Sequence, residues 1–130
     1  MSQGLTEKIT LEPYRGVVNV MFADAMIAST RDALILREEG REPAFYIPFR
    51  DIYFDFLKRS PTTGENPTSG IASYWNVTAQ GEAENDIMWA YEAPPEEMQP
   101  ILAYGTFDPE KVRIEAAPDD DPKEEEEHRP

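Results

Sequence analysis

The sequence contains no cysteine and a single histidine among its 130 residues. Without cysteine, the chain cannot form disulfide bonds, carry out thiol chemistry or build a zinc site from thiolates. The histidine, His128, lies in a charged C-terminal segment, so neither a Ser-His-Asp nor a Cys-His catalytic arrangement is available. Phosphate-binding loops of the GxxxxGK(S/T) and GxGxxG types are also missing. We therefore expect neither a metal site nor a cofactor.

Basic residues are scarce as well, because 12 lysines and arginines stand against 26 acids and the net charge is −14. An excess of negative charge opposes binding to a phosphate backbone, so we expect no nucleic-acid partner. No stretch approaches the ~20 consecutive apolar residues that a membrane-spanning helix needs. The N-terminal MSQGLTEKIT lacks the basic and apolar regions of a signal peptide. We expect a cytoplasmic protein with no membrane partner, whose oligomeric state stays open.

Composition divides the chain into three segments. A flexible N-terminus of residues 1–7 precedes a body, residues 8–117, that holds the apolar residues for one modest core. The tail, residues 118–130, carries seven acids and two bases from Asp119 onward. Such a run buries too little surface to offset its ordering entropy, so the tail is predicted to be disordered. It would act either as a solubilising segment or as an electrostatic lure for a basic partner.

Alternation of apolar and polar residues predicts a mostly β domain. The alternating runs are Val17–Phe22, Asp51–Phe56, Ile71–Thr78 and Ile87–Tyr91. Aromatic and β-branched side chains fit the half-buried surface of a pleated sheet. We therefore predict one compact β domain.

Turn residues pair several of these runs into antiparallel hairpins. The predicted turns contain Gly40 and Gly81, since glycine adopts positive φ at little cost. The pairs joined are Ala33–Arg37 with Ala44–Ile47, and Ile71–Ala79 with Ala83–Tyr91.

Three segments interrupt the strands. The ten residues from Ser60 to Ser69, SPTTGENPTS, are predicted to form a long loop because they contain two prolines and a glycine. Arg31–Glu39 suits a helix that ends at Gly40, but its consecutive Leu34, Ile35 and Leu36 equally suit a buried strand. Glu96–Leu102 is predicted to form a helical turn, limited in length by Pro100.

Six segments of the body carry a family resemblance in their order along the chain: ITLEPYRGVVNVMF, ADAMIASTRDALILREEG, PAFYIPFRDI, SGIASYWNV, AENDIMWAYEAPP and ILAYGTFDPEKVRIEA. The most specific are Ala72-Ser73-Tyr74-Trp75, Glu84-Asn85 ahead of Trp89 and Tyr91, and Tyr104 with Phe107-Asp108. Together they resemble the family called domain of unknown function 427 (DUF427). The resemblance implies a compact, mostly β, tent-like or barrel-like fold similar to the Mss4-like group.

The chain departs from the family pattern at two places. Asn66-Pro67-Thr68-Ser69-Gly70 stands where members of the family typically have Cys-Pro, an aromatic residue, a lysine and a glycine. Members of the family usually have a basic and an acidic residue after the equivalent of Pro48, whereas this chain has Phe49-Arg50. Any chemistry that the cysteine or lysine performs in relatives is lost, and the four-cysteine zinc site of some Mss4-like proteins is excluded.

An aromatic and polar cluster, which also includes Tyr104, is the candidate ligand site. If the two strands around Gly81 pair, their aromatic side chains can line a cleft on which a planar ligand stacks. Guanidinium groups would contact an anionic part of the ligand. The predicted wall is formed by Tyr74, Trp75, Asn85, Trp89 and Tyr91, and the predicted anion contacts are Arg31 and Arg50. The two tryptophans could instead belong to the core.

Three functions remain open from the sequence. The first is a domain that binds a small planar or anionic molecule in this cleft. The second is an enzyme with Glu84 as acid or base, partnered by Tyr74 or Arg50, since a carboxyl beside tryptophan rings has a raised pKa. The third is a protein-interaction module that uses a sheet edge or the acidic tail.

Overall fold

A computed structural model describes residues 9–67 and 69–119. The described residues form ten β-strands and three short 3-10 turns, in the order β1 (Ile9–Pro13), β2 (Gly16–Phe22), β3 (Ala25–Thr30), β4 (Leu34–Glu38), β5 (Ala44–Pro48), η1 (Phe49–Asp51), η2 (Phe54–Phe56), β6 (Leu57–Asn66), β7 (Gly70–Ala79), β8 (Glu82–Tyr91), η3 (Glu96–Ile101), β9 (Tyr104–Phe107) and β10 (Arg113–Pro118). The prediction of a mostly β fold with short helical turns is confirmed. In this part of the chain, no helix has the length and apolar character that a membrane crossing requires.

The strands form two antiparallel sheets. The larger has seven strands in the order β1-β4-β5-β9-β8-β7-β6, and the smaller has three in the order β10-β2-β3. Because β1 and β6 lie at opposite edges of the larger sheet and do not pair with each other, the fold is not a closed barrel. The seven-stranded sheet therefore presents two separate faces.

The main core lies between the two sheets. The small sheet contributes side chains such as Val18, Val20 and Ile27, and the large sheet contributes Val77 and Met88 from β7 and β8. All five are fully buried. Burying each such side chain stabilises the fold by about 1.5–3 kcal/mol relative to exposure.

A second apolar cluster covers the other face of the seven-stranded sheet. Its buried members include Leu36 and Tyr46 on β4 and β5, Tyr91 on β8, and Met98 and Ile101 on η3. Side chains of successive strand residues point to opposite faces, so β5, β7, β8 and β9 each supply residues to both clusters. The 3-10 turn η3 packs onto this second face. Its position confirms the helical turn predicted over Glu96–Leu102.

Both predicted hairpins are confirmed. β4 pairs with β5 from Leu34 opposite Tyr46 to Leu36 opposite Ala44. β7 pairs with β8 across almost its whole length. Of the alternatives for Arg31–Glu39, the strand is correct, because Leu34 and Leu36 face the second cluster while Ile35 is buried on the other side.

The predicted loop from Ser60 to Ser69 is wrong over most of its length. β6 continues to Asn66 and pairs with β7 from Thr63 to Asn66. Pro61 is tolerated because β6 is an edge strand and its register shifts between Arg59 and Thr63, where no ladder hydrogen bond is required. The turn that remains begins at Pro67.

The predicted strand over Asp51–Phe56 is also wrong. This segment contains the end of η1, a single bridge between Ile52 and Ala28, and η2. Phe54 packs against the main core from the turn rather than from a strand. The alternation in the sequence therefore reflects a segment that touches the core at intervals.

The predicted disordered tail falls almost entirely outside the described residues, which end at Asp119, and so does His128. Within the described part, β10 extends to Pro118 and the Asp119 amide donates to the Arg15 carbonyl at 3.1 Å.

Candidate functional site

Five aromatic residues gather on the η3 side of the seven-stranded sheet, and we call this surface the aromatic face: Tyr46, Tyr74, Trp89, Tyr91 and Tyr104. Tyr74 on β7 lies directly opposite Trp89 on β8. The centroids of their rings are 5.7 Å apart with a 38° angle between the planes. Tyr74, Trp89 and Tyr104 are each half-buried, so part of every ring remains open to solvent.

A glycine on the edge strand makes room for the Tyr74 ring. Gly64 on β6 is opposite Ala72, so it lies on the same face as Tyr74. A Cβ at Gly64 would lie 3.0 Å from the Tyr74 hydroxyl oxygen and 3.3 Å from Cε1. The Tyr74 ring therefore extends over β6 at a point where a side chain would crowd it.

Two tyrosines of the aromatic face are buried, with Tyr46 3% and Tyr91 5% exposed. Burial raises the pKa of the Tyr46 phenol far above its ordinary value, and the charges of Tyr91 and Glu38 raise it further. Burial also raises the pKa of Tyr91, as does Tyr74, while side-chain hydrogen bonds with Trp89 and Asn66 oppose the shift. Both hydroxyls therefore stay protonated and keep a hydrogen to donate.

Trp75 belongs to the opposite face, although the sequence places it in the same candidate wall. It is a member of the main core, and its ring makes edge contacts with Phe49 at 6.1 Å and Phe54 at 6.2 Å. The Arg59 guanidinium covers it at 5.0 Å from the ring centroid. Adjacent strand residues point in opposite directions, so Tyr74 and Trp75 cannot line one cleft.

Arg59 is held by two further groups beside Trp75. Its Nη2 donates to Ser73 Oγ at 2.7 Å and to Glu92 Oε1 at 3.1 Å. Ser73 Oγ also donates to Glu92 Oε1 at 3.0 Å. This network seals the border of the main core, and local sequence gives no signal for it because its members come from β6, β7 and the residue that follows β8.

The predicted anion contacts are already paired with carboxylates of the chain. The Arg50 guanidinium bonds to Asp32, and its Nε lies 3.9 Å from Asp51 Oδ1. Arg31 Nη1 lies 3.2 Å from Asp119 Oδ1. An anionic ligand at either arginine would have to displace these carboxylates.

Glu84 and Asn85 lie near the turn of the β7–β8 hairpin. Lys111 Nζ donates to the Asn85 backbone oxygen at 2.9 Å and lies 3.8 Å from Glu84 Oε2. Trp89 is five residues further along β8, about 16 Å in an extended strand. The structure therefore does not bring Glu84 or Asn85 to the ring of Trp89. The contact between Glu84 and a tryptophan ring that the sequence suggested is not made with Trp89.

A depression of about 520 Å³ lies elsewhere, at the end of β2 and the start of β10. Its basic residues, Lys111 and Arg113, are paired with Glu84 and Glu115. Its lining is formed by Met21, Ala23, Pro109, Glu110, Lys111, Val112, Arg113 and Ile114. Within residues 9–67 and 69–119, no group of three or more acids or histidines is arranged to hold a metal ion.

Two residues of the aromatic face were absent from the predicted wall. Tyr46 could have been found from the alternation of β5, where Ala44, Tyr46 and Pro48 share one face. Tyr104 was predicted to belong to the cluster but not to its wall, and its place beside Trp89 follows from the pairing of β8 with β9, where Trp89 lies opposite Thr106. Local sequence does not indicate that β5 and β8 are the neighbours of β9 in the sheet.

Comparison with known proteins agrees with the motifs described above. Residues 10–118 match the model of a family described as Domain of unknown function (DUF427). No curated protein matches the chain. The match spans most of the 130 residues. It includes all ten strands, except for Ile9 at the start of β1. The chain therefore belongs to the DUF427 family.

Proposed function

We propose that the aromatic face binds a small planar molecule. The observation that carries the proposal is the row of half-buried rings formed by Tyr74, Trp89 and Tyr104 on three neighbouring strands. Aromatic side chains that bury one side and expose the other offer a stacking surface. A planar ligand would bury this surface at little entropic cost, because the strands already hold the rings in place.

Polar groups at the same face would orient the ligand. The buried hydroxyls of Tyr46 and Tyr91 are held protonated and can act as donors. A mostly apolar surface with a few fixed polar groups is typical of small-molecule sites. The anionic ligand expected from Arg31 and Arg50 has less support, since both guanidinium groups have carboxylate partners.

The two tryptophans of the chain allow a test that distinguishes the faces. Trp75→Phe leaves Trp89 as the reporter on the aromatic face, and Trp89→Phe leaves Trp75 in the main core. We expect adenosine or nicotinamide to change the fluorescence of the Trp75→Phe protein on titration. The Trp89→Phe protein should give no change, and cyclohexanol, which cannot stack, should act on neither.

Two outcomes would count against the proposal. One is a panel of planar probes that leaves the emission and the thermal midpoint of the Trp75→Phe protein unchanged. The other is a response that persists in Trp89→Phe, since it would place binding on the other side of the sheet. A circular dichroism spectrum like that of the unaltered protein establishes that each variant is folded.

The other functions expected from the sequence have less support. Acid–base catalysis by Glu84 would need a ligand near the β7–β8 turn, where Lys111 pairs with that carboxylate. A protein-interaction module would use the outer edges of β1, β6 or β10. Among these, β6 is guarded by its register shift and by Pro61, features that discourage strand addition. The cytoplasmic location stays a prediction.

A further inference from the structure

A carboxylate lies at the β4 border of the aromatic face. Glu38 is opposite Ile9 of β1, and the alternation along β4 turns it to the same side as Leu34 and Leu36. Its side chain is half-buried. The ion pairs formed within residues 9–67 and 69–119 do not include Glu38, although the adjacent Arg37 pairs with Glu12 at 3.6 Å on the other side of the strand.

The charge of Glu38 is felt across this face. It raises the pKa of both buried phenols, Tyr46 and Tyr91, although burial is the larger cause in each. Tyr74 acts on Tyr91 in the same direction. Glu38 and Tyr74 therefore each lie within electrostatic range of Tyr91, in surroundings where water screens charge incompletely.

The other charges around this face are mostly negative. The turn η3, which packs Met98 and Ile101 onto the face, begins with Glu96 and Glu97. In the described strands of the large sheet, Lys58 is the one basic residue that the register turns to this side, opposite Asn76 on the border far from Glu38. The chain as a whole carries a net charge of −14.

We propose that the ligand of the aromatic face is a planar organic cation, held by the rings of Tyr74, Trp89 and Tyr104 and balanced by the carboxylate of Glu38. This inference rests on the proposed function and adds the charge of the ligand to it. The faces of aromatic rings carry negative potential and attract a cation above them. A delocalised cation, such as an N-alkylated nitrogen heterocycle, would stack on the rings and balance the charge of the Glu38 carboxylate at the same time.

A matched pair of probes tests the charge alone. N-methylquinolinium and 2-methylquinoline have the same number of heavy atoms and a similar planar shape, and the second is neutral at slightly alkaline pH. With calorimetric titration of the full chain, we expect the cation to bind at least about tenfold more tightly, a difference of ~1.4 kcal/mol. Glu38→Gln should remove most of this preference, whereas Glu38→Asp should retain it.

Glu12→Gln is the matched control. It removes the same charge from the neighbouring strand β1, but Glu12 lies opposite Ile35 and faces the other side of the sheet. We expect it to keep the preference for the cation. Trp89→Phe should weaken both probes, because it reduces the ring surface on which they stack.

The outcomes separate this inference from the function on which it rests. Equal binding of both probes, lost in Trp89→Phe, would overturn the cation proposal and leave the planar-ligand proposal standing. Binding of neither probe would count against both. A preference for the cation that Glu38→Gln leaves intact, or that Glu12→Gln removes as effectively, would assign the attraction to the net charge of the chain and overturn the role of Glu38.

Discussion

Burial of the Tyr46 phenol makes the stability of the fold depend on alkaline pH. In the unfolded chain the phenol ionises near its ordinary pKa of 10.0, whereas burial raises the pKa in the folded state. Below that ordinary value both states are protonated and the contribution to stability is complete. As the pH rises above it, the unfolded state loses its proton first, so the free energy of unfolding falls.

Tyr46→Phe should remove much of this dependence. Between about pH 9 and about pH 11, we expect the native protein to lose ~1 kcal/mol more stability than the variant, since one pKa unit corresponds to ~1.36 kcal/mol. Urea unfolding at both pH values measures the difference. Tyr53→Phe is the control, because Tyr53 is 42% exposed, and an equal effect of the two substitutions would contradict the assignment.

Arg59 shows how one residue can seal the main core from an edge strand. Its guanidinium covers Trp75 and bonds to Ser73 and Glu92. We expect Arg59→Ala to lower the free energy of unfolding by about 1 kcal/mol more than Lys58→Ala, which removes the same charge from the adjacent position. Chemical denaturation measures both. Equal losses would mean that the contact with Trp75 contributes nothing measurable.

Among the elements, the pairing of β2 with β10 depends on a close backbone approach. Gly16 has φ +151° and lies opposite Pro118, and a Cβ there would come within 2.3 Å of the Ala117 carbonyl oxygen. We expect Gly16→Ala to destabilise the fold by about 1–3 kcal/mol, because the residue must leave a strained conformation and the strand end must move.

Gly40→Ala separates the two causes of that loss. Gly40 also has positive φ, at +83°, but a Cβ there would meet nothing within 4 Å. It should show the conformational cost alone, so its smaller effect in thermal unfolding isolates the contact with Ala117. A loss as large as that of Gly16→Ala would contradict the steric explanation.

Strand β7 is the element that divides the candidate site. Tyr74 lies on the aromatic face, while Trp75 beside it belongs to the main core. Truncating a buried tryptophan removes transfer energy and leaves a cavity, so Trp75→Ala should cost about 3–5 kcal/mol. Trp89→Ala should cost clearly less, because Trp89 is half-buried. Denaturant unfolding of both variants measures the contrast, and equal costs would contradict the placement of Trp89 on an open surface.

At the scale of the whole molecule, the net charge of −14 opposes compaction. Salt screens this repulsion, so the thermal midpoint should rise between about 20 mM and about 200 mM sodium chloride. A chain that ends at Asp119 lacks six acids and two bases and should show a smaller rise. Calorimetry of both chains measures it. A midpoint that falls with salt in the full chain would show that its ion pairs outweigh the repulsion.

Local sequence patterns predicted the class of fold and its two main hairpins. Alternation over Ile71–Ala79 and Ala83–Tyr91, with Gly81 between them, is a local signal and needs no knowledge of distant residues. The same reasoning failed at Pro61, where an edge position and a register shift admit proline into β6. It failed again near Phe54, where contact with the core imitates the period of a strand.

The sequence alone determined the charge, the absence of thiol and histidine chemistry in the body, the mostly β class and the family. The first two follow from composition, which does not depend on the fold. The class and the family follow from short motifs, whose residues lie close together in the chain. Tertiary structure decided which aromatics share a surface. Tyr46, Trp89 and Tyr104 meet because β9 lies between β5 and β8, an order that long-range pairing sets and no local pattern encodes. Strand pleating then separates Tyr74 from Trp75, since neighbouring side chains must point to opposite faces.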